Sequence, residues 1–154
     1  APGFDLGWAG DCANVFLLRH PARVVASYLD RREAPVAADL GFEDQARVFD
    51  AVTRIAGRAP LVIDSAEVRA APEPMLRALC TALGIGFDPA MLSWPAGGHP
   101  ADGVWAAHWY GAVHRSTGFA GPEGPLPALG GPAARLAAAG LPVYERLAAL
   151  RLRP

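Results

Sequence analysis

The chain has 154 residues, 52% of them hydrophobic and 19% charged. That is enough for a domain with a real core, burying roughly two-thirds of its unfolded surface, and it excludes disorder as the main state. A formal net charge of −1 argues against a dedicated nucleic-acid binder, and all 14 basic residues are arginine, so no Schiff-base or phosphate-loop lysine lies in this chain.

The first predicted element is a strand over Asn14–Arg19. Its four consecutive apolar residues, Val15-Phe16-Leu17-Leu18, suit burial on both faces of a parallel sheet. His20-Pro21 ends it, proline being at home in a first helical turn. A helix is expected over Arg23–Arg32, with Val24, Val25, Tyr28 and Leu29 on its apolar face and Arg23, Ser27, Asp30 and Arg31 on another. Pro35–Gly41 connects to a second helix over about Phe42–Ile55, where Phe42, Ala46, Phe49, Val52 and Ala56 share a stripe and Glu43 and Asp44 suit the helix dipole. Pro60–Asp64 reads as a second buried strand. Pro72 opens a third helix with Leu76, Leu79, Cys80 and Leu83 facing the core, and Gly84 caps it. Beyond Asp88, Met91–Trp94 suggests a turn of helix, Gly97-Gly98-His99-Pro100 a loop, and Trp105–His114 a short aromatic-rich helix. Gly118–Pro132 is dense in glycine and proline and reads as a long surface loop or lid. Leu141 starts a final helix.

Alternating strands and helices imply an α/β layered fold. Only two strands are legible where a doubly wound sheet usually has about five. The start, Ala1-Pro2-Gly3, is neither a signal peptide nor an initiator methionine. The expectation is one α/β domain over residues 1–154, its sheet incomplete at the N-terminus. Cys12 and Cys80 stand outside any CxxC pair and suggest a reducing compartment. No apolar run reaches membrane-spanning length. A cytoplasmic protein follows as the expectation, with no membrane or nucleic-acid partner. An exposed sheet edge predicts self-association.

The constellation richest in chemistry is Phe16–Tyr28. A buried strand delivers Arg19 to the carboxyl edge of a sheet, where open α/β folds bind ligands. Ser27 follows eight residues later on the adjoining helix. A guanidinium fork and a hydroxyl can clamp a phosphate. In the competing structural reading, Arg19 pairs with a neighbouring acid and Ser27 is a solvated helix residue.

The string Phe16-Leu17-Leu18-Arg19-His20-Pro21-Ala22-Arg23-Val24-Val25-Ala26-Ser27-Tyr28 resembles the 3′-phosphate-binding segment of sulfotransferases. His20 stands where Asp or Asn is commoner. A second stretch, Val62-Ile63-Asp64-Ser65-Ala66-Glu67-Val68, then Pro72, Leu76, Leu79, Leu83-Gly84-Ile85 and Phe87-Asp88-Pro89, is similar to the strand and following helix of the same family. A third, Gly103–Tyr110 with Val113–Phe119, resembles a late segment of a bacterial sulfotransferase-like branch. The resemblance implies a three-layer, mostly parallel sheet of the P-loop NTPase-like type. It also implies 3′-phosphoadenosine-5′-phosphosulfate as sulfuryl donor and a small-molecule hydroxyl or amine acceptor. Arg19 and Ser27 would then hold the 3′-phosphate. Arg115, Ser116, Thr117 and Gly118 would form the late loop over the nucleotide, although the lysine usual in that loop is absent. The alternative for this loop is that Trp105, Trp109 and Phe119 merely anchor it.

No catalytic residue is assigned within the chain. The family's phosphate-binding loop and its general base precede the arginine-bearing strand, and neither is legible in residues 1–20, so both are expected upstream of residue 1. By this reading the chain is the C-terminal portion of a sulfotransferase-like protein, inactive by itself. The alternatives are a non-catalytic domain that binds adenosine 3′,5′-bisphosphate and an interaction domain that kept the fold. His99, His108 and His114 lack the spacing of helical metal ligands and no carboxylate partner is evident, so no metal is expected. Asp64 reads as a cap of the next turn. No G-x-S-x-G elbow surrounds Ser65. The three arginines of the tail, Arg146, Arg151 and Arg153, read as a solvated helix end.

Overall fold

The computed structural model describes residues 5–30, 35–106 and 110–154. Arg31 and Arg32 at the first helix end, and His108 and Trp109 of the aromatic segment, lie outside them. Strand β1 spans Val15–Leu18 and β2 spans Leu61–Asp64. They pair in parallel with Val15 opposite Leu61 and Leu18 opposite Asp64. Helix α1 covers Pro21–Leu29, α2 Ala37–Leu40, α3 Phe42–Ala56, α4 Ser65–Ala70, α5 Pro72–Leu83, α6 Gly111–His114 and α7 Gly131–Ala148. Two 3-10 turns lie at Gly7–Asp11 and Pro89–Leu92.

Contacts group the chain into two compact units. The first combines residues up to 66 with 124–153, and the second holds 67–123 with the terminal Pro154.

The first unit carries the sheet. Because side chains alternate along a strand, Phe16 and Leu18 share a face with Val62 and Asp64. That face is the core: Leu18, Phe49, Val62, Leu147 and Ala148 cluster, with Phe16, Val143 and Tyr144 packed against them. The Phe16 and Phe49 rings meet edge to face at 5.1 Å. Helix α3 buries Ala46, Phe49 and Val52, three members of its expected stripe.

The opposite face corrects the expectation of a strand buried on both sides. Val15 is 37% and Leu17 57% exposed. Four apolar residues in a row supply enough hydrophobicity for two covered faces, but only one is covered at β1. The sheet edges are partly occupied. The Leu152 N–H donates to Val62 O at 2.7 Å, which places the C-terminal segment along β2, and the Gln45 side chain donates to Leu17 O at 3.1 Å.

Helix α7 starts ten residues before the expected position and runs through Pro142. Proline lacks an N–H and was read as a start signal. The alanine-rich run 133–139 has high intrinsic helicity, and this extends the helix upstream. Gly140 is buried there. A Cβ at this position would lie 2.5 Å from the Phe42 ring, so glycine is what lets α7 approach α3.

In the second unit, α5 starts at Pro72 and ends on Gly84 at φ 69°, as its sequence signals predict. Met75 and Cys80 are its buried positions, while Leu76, Leu79 and Leu83 are half-buried. No helix among the described residues is long and apolar enough to cross a membrane.

Candidate functional site

Parallel strands in register bring their carboxyl ends side by side. Leu18 opposes Asp64, so the Arg19-His20 turn after β1 neighbours the Ser65-Ala66 turn after β2. This edge belongs to the first unit. Arg19 is exposed there. His20 is the N-cap of α1, its Nδ1 accepting the Ala22 N–H at 3.2 Å. Three residues beyond His20, Arg23 reaches the carbonyls of Gly124 and Pro125. Ser27 is half-buried one turn beyond Arg23 on α1.

Asp64 is the one charged residue buried among those described, at 3% exposure. Both of its oxygens are engaged. Oδ1 accepts the Ala66 N–H at 2.8 Å, which is the capping role read from the sequence, and Oδ2 accepts the Tyr144 hydroxyl at 2.6 Å. A buried carboxylate needs such donors, since an unsatisfied one is expensive. The Tyr144 ring also meets the His20 ring edge to face at 5.2 Å. Beside Asp64, the Ser65 Oγ is buried with no hydrogen-bond partner among the described residues. The edge thus presents a guanidinium, a capped helix start and a buried hydroxyl. That donor set suits a phosphate.

The residues expected to form the late loop lie in the second unit. Ser116 Oγ donates to Val113 O at 2.7 Å and accepts the Trp94 Nε1–H at 2.9 Å. Gly118 pairs with Ser93 in an antiparallel bridge, and a Cβ on it would meet Leu92 O at 3.1 Å. The Trp94 N–H donates to Thr117 O, and the Trp94 and Phe119 rings pack edge to face. Ser116 and Gly118 therefore clasp this segment to residues 92–94. Arg115 and Thr117 are exposed.

The next segment, 119–130, has no helix or strand. It is pinned at both of its described contacts. Within the second unit, the Arg69 guanidinium donates to Gly121 O at 2.8 Å and pairs with Glu123 at 2.9 Å. Within the first, Arg23 holds Gly124 and Pro125.

One pair escaped the sequence reading. His114 Nε2 lies 2.9 Å from Asp102 Oδ2, which also accepts the His99 N–H at 2.8 Å. His114 thus has the carboxylate partner that its spacing did not reveal. The hydrogen bond from the His99 backbone, then that from His114, hold the Asp102 carboxyl below its usual value. Among the described residues no group of three or more His, Cys, Asp or Glu side chains could hold a metal ion. Of the tail arginines, Arg146 is exposed, as expected, and pairs with Asp50 at 2.9 Å, while Arg151 is half-buried and donates to Ala148 O at 2.7 Å.

Comparison with known proteins gives the chain two relatives and a family. The chain is 39% identical over 110 residues to branched-chain-amino-acid aminotransferase-like protein 1 of Arabidopsis thaliana, covering 71% of this chain and 20% of that protein. It is 36% identical over 110 residues to branched-chain-amino-acid aminotransferase-like protein 2 of the same plant, covering 71% and 19%. The chain thus spans about a fifth of the length of these curated relatives. Both are plant proteins, so the bacterial branch suggested by the late segment finds no support in them. No solved structure matches. A family model described as a sulfotransferase domain matches residues 1–151. An arginine delivered by a parallel strand, a helix capped beside it and this match over nearly the whole sequence agree: the chain belongs to the sulfotransferase domain family.

Proposed function

We propose that this domain supplies the 3′-phosphate half of a binding site for 3′-phosphoadenosine-5′-phosphosulfate, in a protein that transfers a sulfuryl group to a hydroxyl or amine acceptor. The observation that carries the reading is exposed Arg19 at the carboxyl end of a parallel strand, directly before a capped helix that bears Ser27. A guanidinium fork supplies a positive charge and paired N–H donors to a phosphate, and a hydroxyl adds one more donor. The orphaned Ser65 hydroxyl on the adjacent turn adds a donor. When bound, the donor molecule supplies an activated sulfuryl group. The reading assigns no residue of this chain to the 5′-phosphosulfate or to the acceptor's proton.

The same reading extends to architecture. The two parallel strands belong to a larger three-layer sheet of the P-loop NTPase-like type, and the exposed Val15–Leu17 face supports this. The aminotransferase-like names of the two plant relatives do not carry over. The chain spans only about a fifth of those proteins, and their names are said of them.

Calorimetry with adenosine 3′,5′-bisphosphate tests the site. Arg19→Ala is expected to weaken binding by about 1.5–3 kcal/mol, the scale of a charge-assisted hydrogen bond. Equal affinity of wild type and variant would remove Arg19 from the site. Binding without sulfuryl transfer by the full polypeptide would favour a non-catalytic nucleotide-binding domain.

A further inference from the structure

We infer that Tyr144, eighty residues from its hydrogen-bond partner in sequence, is a positioning residue for the anion site at Arg19. The inference rests on the reading that Arg19 holds the 3′-phosphate.

Arg19 sits in a two-residue hinge. The strand β1 fixes its N-terminal side through the ladder to β2. On its C-terminal side the chain direction is set by His20, which holds the α1 cap with φ −54° and ψ 131°. A cap bond of 3.2 Å to the Ala22 N–H is the only hydrogen bond that the His20 ring makes among those described. The other constraint on the ring is Tyr144, edge to face at 5.2 Å. Tyr144 is itself held, because its hydroxyl donates to buried Asp64 at 2.6 Å. Asp64 in turn caps α4 through the Ala66 N–H. One side chain from α7 therefore ties together the turns that follow both strands. A long arginine side chain gains affinity for an anion when its backbone is fixed in advance, because less ordering remains to be done on binding.

The test is a double-mutant cycle on the binding of adenosine 3′,5′-bisphosphate. All variants are compared at a temperature where circular dichroism shows them folded. Arg19→Ala is expected to weaken binding about 10- to 100-fold. Tyr144→Phe keeps the ring and removes the hydroxyl, and is expected to weaken binding about fivefold. The double variant is expected to bind no more weakly than Arg19→Ala alone, since Tyr144 acts only through Arg19. A residue that merely stabilised the fold would leave the affinity of folded protein unchanged. Should Tyr144→Phe not fold, His20→Asn keeps an N-cap acceptor and removes the ring contact while leaving the Asp64–Tyr144 bond, and the same cycle applies. If Arg19→Ala weakens binding but Tyr144→Phe does not, or if the two effects add in full, the inference fails and the site reading stands. If wild type does not bind or Arg19→Ala has no effect, both fall.

Discussion

Asp102 shows how a single carboxylate can govern a loop. It accepts the His99 N–H and bonds His114, and Gly97 donates to His114 O at 2.7 Å. These bonds close residues 97–103 onto α6. Gly98 must be small there, since a Cβ would approach the His114 ring to 3.0 Å. The Asp102 carboxyl titrates below its ordinary value, with the His99 backbone bond the larger cause. A depressed acid contributes stability that is complete above the unfolded value, about 3.9, and is lost as pH falls through the lower folded value. The closed loop should thus persist at neutral pH and open only in strong acid. The Asp102 side-chain carboxyl carbon shift followed by NMR during an acid titration is the check, and a midpoint at or above the ordinary value of about 3.9 would contradict it. At this scale the sequence was informative where partners are local. The place of Arg19 at the end of β1 was legible because a strand and His-Pro bracket it, and the cap made by Asp64 because its partner lies two residues away. Tyr144 was not legible, because nothing local marks a tyrosine that must cross the fold to meet a carboxylate. The Asp102–His114 pair was missed because twelve residues and a glycine turn separate its members.

Helix α7 poses a conflict between local preference and packing. Gly140→Ala would gain about 1 kcal/mol of helix propensity. Against that, the new methyl would sit 2.5 Å from the Phe42 ring, and overpacking of this kind costs about 1–3 kcal/mol. Packing wins at that distance, so the variant is expected to be less stable in urea denaturation, and Phe42→Leu in the same chain should recover part of the loss. The strands carry another consequence. Val15 and Leu17 leave an apolar strip exposed beside a partly open edge, and such strips promote association. Leu17→Asp is expected to raise the monomer fraction in sedimentation velocity at high concentration. Equal sedimentation of both proteins would show that the strip does not associate. Element types were readable because apolar runs, Pro starts and Gly84 are strong local signals. The start of α7 was misplaced because Pro142 outweighed the alanine run before it. Burial on both faces was over-read because hydrophobicity records what a face can bury, while neighbouring chain decides what it does bury.

At the scale of the molecule, the glycine- and proline-rich stretch is a strap rather than a free flap. Arg69 holds Gly121 and Glu123, and the Glu123 side chain is 4% exposed. Arg69→Ala is expected to free this stretch and to speed cleavage after Glu123 by a glutamate-specific protease, read by mass spectrometry. An unchanged rate would show that the Arg69 contacts do not hold the strap. Trypsin would be uninformative, since no basic residue lies between Arg115 and Arg135.

The first unit is built from two separated stretches, and the second lies between them in sequence. Its core joins Leu18 and Val62 to Leu147 and Ala148, and β2 takes its outer bond from Leu152. Such contacts span most of the chain, and long-range closure slows folding. A ribosome makes both strands well before α7. During synthesis Asp64 therefore waits for its tyrosine, and part of the core face of the sheet waits for its cover, until α7 has emerged. For that interval the core face has Phe49 but lacks Leu147 and Ala148, and this exposure to misassociation falls before the native state exists.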